Sequence, residues 1–244
     1  MKKEPSIRLR LKPSEAAQVM KMRNKKNTNI LVIGDLHEPF CLDSYLDHCI
    51  AMYKEHNCSQ VIFIGDVIDN HFSSYHETDA NGLGGGDELE LAIERIARWV
   101  KAFPVADVCI GNHDRIISRK AQSGHIPKQW IRTYSEVLNA PNWTFGERFV
   151  YDNVQYVHGE GGTARTKGRG DMMSTVQGHL HTQLYTDIYV GVNYRIHTSQ
   201  IGCGIDHKKY AFGYAKAGKK PAISCMVMLN NGTQPLHCPM DLGK

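Results

Sequence analysis

Along most of the chain the apolar positions fall into short runs that end on glycine. Residues 30–33, 61–64 and 105–110 are rich in Val, Ile and Phe, and they lead into ILVIGD, VIFIGD and VCIGNHD. Such runs predict buried strands whose tips carry Asp35, Asp66 and Asn112. Between the first two, residues 42–56 set Leu42, Leu46, Cys49, Ile50 and Tyr53 on one helical stripe. Strand, helix, strand is a βαβ unit, which predicts a parallel pair joined by a right-handed crossover. A second helix is predicted over residues 88–103, with Leu89, Leu91, Ile93, Ile96, Ala97 and Val100 facing inward and Asp87 as its N-cap. The segment between Asp69 and this helix holds four glycines (82, 84, 85, 86) and no apolar period. A loop of that length in a compact domain is either functional or disordered.

Two further helices are predicted over residues 115–122 and 127–138, the second with proline in its first turn. Beyond Asn142 the period shortens to alternation. Strands are predicted at 143–145, 148–151, 154–157, 175–177, 183–190, 194–201, 222–229 and 233–237. Asp152-Asn153 closes one hairpin and Asn230-Asn231-Gly232 another. After His158 comes a glycine-rich, basic loop, GEGGTARTKGRG, and then a short helix near 171–174. Helix-rich βαβ units first and strands second predict an α/β fold with two sheets packed face to face and helices outside. Residues 28–244 read as a single domain, and residues 1–27 as a basic N-terminal arm with at most a short helix over 13–22.

Charge sharpens that division. The net charge is +4, yet residues 1–26 alone carry nine Lys/Arg against Glu4 and Glu15, so the rest of the chain is mildly acidic at −3. A basic arm on an acidic body suits nucleic acid or another polyanion; a solvated tail is the plainer alternative. Seven cysteines, odd in number and without a CxxC pair, exclude a disulfide framework or zinc finger. No apolar run reaches the roughly 18 residues of a membrane span, and the N-terminus lacks the apolar core of a secretory signal, so the expected location is cytoplasmic.

The candidate chemistry sits at five strand ends: Asp35 with His37, Asp66, Asn112, His158, and His179 with His181. In open α/β sheets ligands bind beyond the carboxyl ends of strands, so these tips imply one shared site. Two carboxylates, an amide and four imidazoles exceed one tetrahedral site but suit two divalent ions bridged by a carboxylate, with Asp66 the natural bridge. Two cations about 3.5–4 Å apart can share a hydroxide, lower its pKa toward neutrality and hold a phosphoryl group for in-line attack. Each residue alone has a plainer reading: Asp35 or Asp66 as a helix cap, Asn112 as a turn residue. His71, His76, His125, His197 and His207 stand outside these motifs and read as surface or core histidines.

The ordered series GDLH, GDVID, GNHD, an isolated HG and GHLH, spanning residues 30–181, resembles the calcineurin-like metallophosphoesterase superfamily. The resemblance implies a four-layer αββα sandwich of two mixed sheets and a dinuclear site. Carried over by motif, it implies Asp35, His37, Asp66 and His181 around one metal and Asp66, Asn112, His158 and His179 around the other. It further implies His113 as general acid, Asp114 as the group orienting it, and Asp69 as a support behind the ligands. Mixed Asp/His/Asn ligation suits manganese and also accepts iron, zinc or nickel.

Substrate class follows from departures. Phosphoprotein phosphatases carry arginines in GDxVDRG and RGNHE that clamp a terminal phosphate; here Asn70 and Ile110 stand in those places. The GHLH tail is similar to the phosphodiesterase and nuclease branches. Arg115, next after GNHD, reaches a phosphate oxygen or pairs with a carboxylate. Residues 206–220 interleave Lys208, Lys209, Lys216, Lys219 and Lys220 with Tyr210, Phe212 and Tyr214. Such interleaving holds single strands without reading sequence, unless the rings simply pack on the sheet. The expected activity is a metal-dependent phosphodiesterase working on DNA, RNA or a nucleotide. The alternatives are a phosphomonoesterase on a small phosphate and a non-catalytic interaction scaffold of the same fold.

Overall fold

A computed structural model describes residues 29–75, 82–210 and 220–242. The N-terminal arm and the short helix expected over 13–22, His76, Phe212, Tyr214, Lys216, Lys219 and the side chain of Tyr210 lie outside the described residues. The strands are β1 (Ile30–Ile33), β2 (Gln60–Phe63), β3 (Ala106–Cys109), β4 (Trp143–Gly146), β5 (Phe149–Tyr151), β6 (Val154–Val157), β7 (Ser174–Gln177), β8 (Leu184–Val190), β9 (Arg195–Ile201), β10 (Ser224–Leu229) and β11 (Gln234–Pro239). The helices are α1 (Asp43–Glu55), α2 (Gly85–Ala102), α3 (Ile116–Ser123), α4 (Tyr134–Val137), α5 (Ala164–Asp171) and α6 (His207–Tyr210), with 3-10 turns at His71–Ser73 and Lys128–Trp130.

Two mixed sheets result, one in the order β11-β10-β1-β2-β3-β4 and the other β5-β6-β7-β9-β8. Strands β1, β2, β3 and β4 run parallel in the first, and β6, β7 and β9 in the second. Because β1 and β2 are covered on both faces, every residue of both is buried, and all but Gln60 are apolar rather than alternating. Leu31, Ile33, Val61 and Phe63 face α1 and α2, where Tyr45, Cys49, Ile96 and Trp99 pack. Ile30, Val32, Ile62 and Ile64 face the second sheet, meeting Phe149, Tyr156, Val176 and Ile201. The architecture is therefore helix, sheet, sheet, helix. All seven cysteines are buried and none forms a disulfide. No helix among the described residues is long and apolar enough to cross a membrane.

Three elements depart from the sequence reading. The helix predicted over 127–138 is broken: Thr133 and Glu136 form a capping box that starts α4 afresh, and Trp130, 82% exposed, leaves no continuous apolar face. The loop expected after His158 contains α5, and the helix expected at 171–174 does not form. Thr163 caps α5 by accepting from the Thr166 amide, and Met172 in a left-handed conformation ends it. Its two glycines cost about 1 kcal/mol each in helix propensity and so read as loop, but Gly168 lies where a Cβ would meet Thr198 at 2.4 Å, so this glycine lets α5 pack on β9.

The third departure is in α2. It starts at Gly85 behind Gly84 with no side-chain cap, and Asp87 lies in its first turn instead. Glu88, Ala92, Ile96 and Trp99 are its buried face, whereas Leu91 and Ala97 are exposed. The face is turned because the Glu88 carboxylate accepts the His71 and Phe72 amides at 2.7 and 3.1 Å, which draws a polar residue inward. The Asp152-Asn153 hairpin forms as predicted, both residues having φ near 50–60°, as a type I′ turn requires.

Candidate metal centre

The carboxyl ends of β1, β2 and β3 open on the same crevice as those of β6 and β7, and the loops leaving them deliver the site. Asp35, Asp66, Asp69 and His158 are all 1% exposed or less. Asp35, His37, Asp66 and His181 place ligand atoms within 4.8 Å of one another, and so do Asp66, His158 and His179. Asp66 belongs to both groups. Asn112 joins the second, its Oδ1 2.9 Å from His158 Nε2. All seven ligand candidates are thus brought together.

Backbone geometry makes this convergence. His37, Asp66 and His179 adopt left-handed φ of 50°, 46° and 70°, which is costly for non-glycine residues and marks chain bent to aim a side chain. Hydrogen bonds hold the bends: the Leu36 and His37 amides donate to Asp66 O, the His113 amide to Asp66 Oδ1, and the His179 amide to Asp35 Oδ2. Glycine is required beside them because the side chains touch neighbouring backbone. A Cβ at Gly111 would lie 2.0 Å from Asp66 Oδ1, and one at Gly178 2.3 Å from Asp35 Oδ1.

The donor set fits divalent cations. His158 Nδ1 donates to the Ile64 carbonyl at 3.1 Å, which turns Nε2 toward Asn112 Oδ1 and toward Asp66 Oδ2, 3.1 Å away. His37 Nδ1 donates to Asp69 Oδ1 at 2.6 Å, which aims Nε2 at His181 Nε2, 3.1 Å away, and Asp66 Oδ2, 3.5 Å away. Ring nitrogens and carboxylate oxygens converging at these distances can share a cation. Asp35 Oδ1 is buried with no hydrogen-bond partner among the described residues. Burial lowers the His158 pKa, but the Asp66 and Asp35 carboxylates outweigh it and push it up to about 9, so the crevice favours a positive charge at this place. Burial opposes ionisation of Asp66, but His158, His37 and His113 together hold its pKa well below the usual carboxylate range.

His113 stands beside this cluster, its ring edge-on to His37 at 4.5 Å between centroids. Its Nδ1 donates to Asp69 O at 2.6 Å, with Asp69 Oδ1 3.2 Å away. Burial lowers its pKa, but Asp69 and Asp66 outweigh that and push it up to about 10. Asp69 therefore orients both His37 and His113. Asp114, expected in that role, instead accepts the Gly111, Val67 and Ile68 amides and ties the GNHD loop to the GDVID loop. Burial and the nearby Asp66 charge raise Asp114 to about 7.

The expected substrate contacts are less gathered. Arg115 ion-pairs with Glu160, approaches Glu147 at 3.5 Å, and donates to the Gly111 and Ile110 carbonyls. Lys208 and Lys209 lie on α6, outside the donor cluster, and Lys209 Nζ is 3.7 Å from Asp43. Two residues outside the expected set belong to the site's surroundings. Asn70 Nδ2 donates to His113 O at 3.0 Å, and His71 Nδ1 lies 4.0 Å from Asp69 Oδ2. Their only signal in the sequence is adjacency to Asp69.

The α/β sandwich thus gathers seven side chains of metal-ligating chemistry at its strand tips, around one shared aspartate. The family model described as calcineurin-like phosphoesterase matches residues 28–189, and the chain belongs to this family. Members of the family typically bind two divalent metals. Among solved structures, the chain is similar to a metallophosphoesterase from Sphaerobacter thermophilus, at 13% identity over 88% of this chain and 89% of that one, TM-score 0.46. It is also similar to Vacuolar Protein Sorting 29 from Cryptosporidium parvum, at 15% identity over 90% and 100%, TM-score 0.43. A third is the nuclease MPE of Pseudomonas putida, at 16% identity over 86% of each chain, TM-score 0.36. No curated protein matches the chain.

Proposed function

We propose that the chain is a dinuclear metal-dependent phosphodiesterase acting on nucleic acid or a nucleotide. The observation that carries the reading is the pair of donor groups sharing Asp66, with the His113 ring beside them. In this reading Asp35, His37, Asp66 and His181 hold one cation, and Asp66, Asn112, His158 and His179 the other. A divalent pair there supplies Lewis acidity, which brings a shared water's pKa toward neutrality and neutralises charge on a phosphoryl group. The donor set suits manganese, and also iron, zinc or nickel. His113 is the general acid: with Nδ1 tied to Asp69 O, its Nε2 is the nitrogen left to deliver a proton to the leaving oxygen. Asp69 positions it, and Asp114 fixes the loop on which it sits.

A diester is favoured because Asn70 and Ile110 leave the site without the two arginines of phosphoprotein phosphatases, and Arg115 is committed to Glu160. Nucleic acid is favoured by exposed rings beside cations on the loop after Asp69. Phe72 and Tyr75 are more than half exposed, and Arg119 and Lys120 sit over the Tyr75 ring at 5.2 and 5.4 Å. Hydrolysis of bis(p-nitrophenyl) phosphate faster than of the monoester, with manganese present, is the expected result. Strong monoesterase activity without cleavage of any diester or of DNA would overturn the reading.

A further inference from the structure

Next to the donor cluster lies a cavity of about 340 Å³ that the motifs do not account for. Pro39, Phe40, Leu83 and Leu91 supply apolar walls, with His71, Glu88, Arg95 and Lys209 around them. Leu83 and Leu91 are 42% and 38% exposed, so apolar surface stands open here instead of joining the core. Helical spacing alone assigns Leu91 to the interior, and the turned face of α2 puts it on this cavity.

Chain geometry ties the cavity to the metal centre. Phe40 follows His37 by three residues and His71 follows Asp69 by two, so their Cα atoms lie within about 11 and 7 Å of those site residues. His71, one of the lining residues, has a buried Nε2 with no hydrogen-bond partner among the described residues. An occupant with both flat apolar faces and a hydrogen-bonding edge satisfies the walls and the imidazole together; an alkyl chain would leave His71 Nε2 unpaired. At the rim, Lys209 is half exposed and its ion pairs are long, 3.7 and 3.8 Å, whereas Arg95 is taken up by Glu38, Asp43 and the Cys41 carbonyl. Lys209 is thus the cation placed to meet a flanking phosphate.

We propose that this cavity is a nucleobase subsite, holding the base of the nucleotide whose phosphate lies at the metal centre, with Leu91 and Phe40 against its faces and His71 at its edge. It rests on the nucleotide reading of the site and narrows it: the substrate is recognised through one base adjoining the scissile phosphate. Apolar contact with its faces and one hydrogen bond at its edge do not distinguish one base from another, so several bases are accepted.

The test compares two probes, thymidine 5′-monophosphate and inorganic phosphate, titrated calorimetrically into wild type, Leu91→Asp and Leu91→Trp. One variant makes the wall polar and the other fills the space. Both change a surface position, and thermal melting checks that each is folded. Wild type is expected to bind the nucleotide at least about tenfold more tightly than phosphate, and both variants to lose that advantage. Equal binding of the two probes by wild type, or an advantage kept in both variants, overturns the subsite. Hydrolysis of bis(p-nitrophenyl) phosphate by wild type separates the two claims. With diester turnover but equal binding, the subsite fails and the phosphodiesterase stands; with Leu91-dependent nucleotide binding and no phosphoester cut, the reverse holds.

Discussion

Asp66 is the residue on which the centre turns: one oxygen accepts the His113 amide at 2.8 Å and the other faces both His37 and His158. Replacing it by Asn removes the charge that both donor groups share, and metal content by plasma emission is expected to fall from two ions per chain to fewer than one. His113→Ala should keep both ions and lose about 10²- to 10⁴-fold in turnover, the size of a general-acid contribution. Gly111→Ala tests the close approach without replacing any candidate ligand. A Cβ 2.0 Å from Asp66 Oδ1 must displace that carboxylate, so metal content should drop by half or more while far-UV dichroism is kept. Full loading of Gly111→Ala would refute the geometry. The candidate ligands were legible because each follows its strand within a few residues, a local signal. Asp69 as a support behind them was expected too, but that it, and not Asp114, holds His113 was not, because Asp69 reaches His113 across 44 residues and Asp114 reaches Val67 across 47.

At the scale of elements, α2 shows how far periodicity reaches. Its existence and length follow from the spacing of apolar residues, but its orientation is decided by polar partners far away in sequence. Glu38, 2% exposed, accepts from Arg95 Nε and from Trp99 Nε1 at 3.0 Å, which locks α2 against the loop after β1. Breaking a buried pair by removing one partner leaves a charge in a low-dielectric interior and costs about 3–5 kcal/mol. Arg95→Met is expected to lose that much in urea unfolding. The double variant Glu38→Gln with Arg95→Met should recover part of the loss, because no buried charge is left unpaired. A double variant as unstable as the single one would show that packing of the arginine stem, not the charge, holds the helix. The same limit explains α5. Two glycines in ARTKGRGD read as loop, and only the contact of Gly168 with Thr198 shows why a helix needs one of them there.

At the scale of the molecule, two sheets were predictable from the change of period near Asn142, but their strand order was not. Strand β10 returns across nearly the whole chain to pair antiparallel with β1, a partnership no window of sequence contains. His197 joins the layers that result: it lies on β9 of the second sheet, 5% exposed, and its Nε2 donates to the Gly232 carbonyl at 3.0 Å, in the turn between β10 and β11 of the first. Its Nδ1 is buried with no hydrogen-bond partner among the described residues, so a second proton would have no acceptor. Burial accordingly lowers its pKa from 6.5, and the charge of Arg195 lowers it further, while the bond to Gly232 opposes them. The sign follows from linkage. Above pH 6.5 neither folded nor unfolded chain protonates this ring; below it the unfolded chain takes up the proton first, so stability falls as pH drops toward the folded pKa. In His197→Gln that contribution is absent. Between pH 7 and 5 the urea midpoint of wild type should therefore decline more steeply than that of the variant, by no more than one proton's worth, about 1.4 kcal/mol per pH unit. Parallel declines in the two proteins would mean that His197 takes up its proton without disturbing the contact between the sheets.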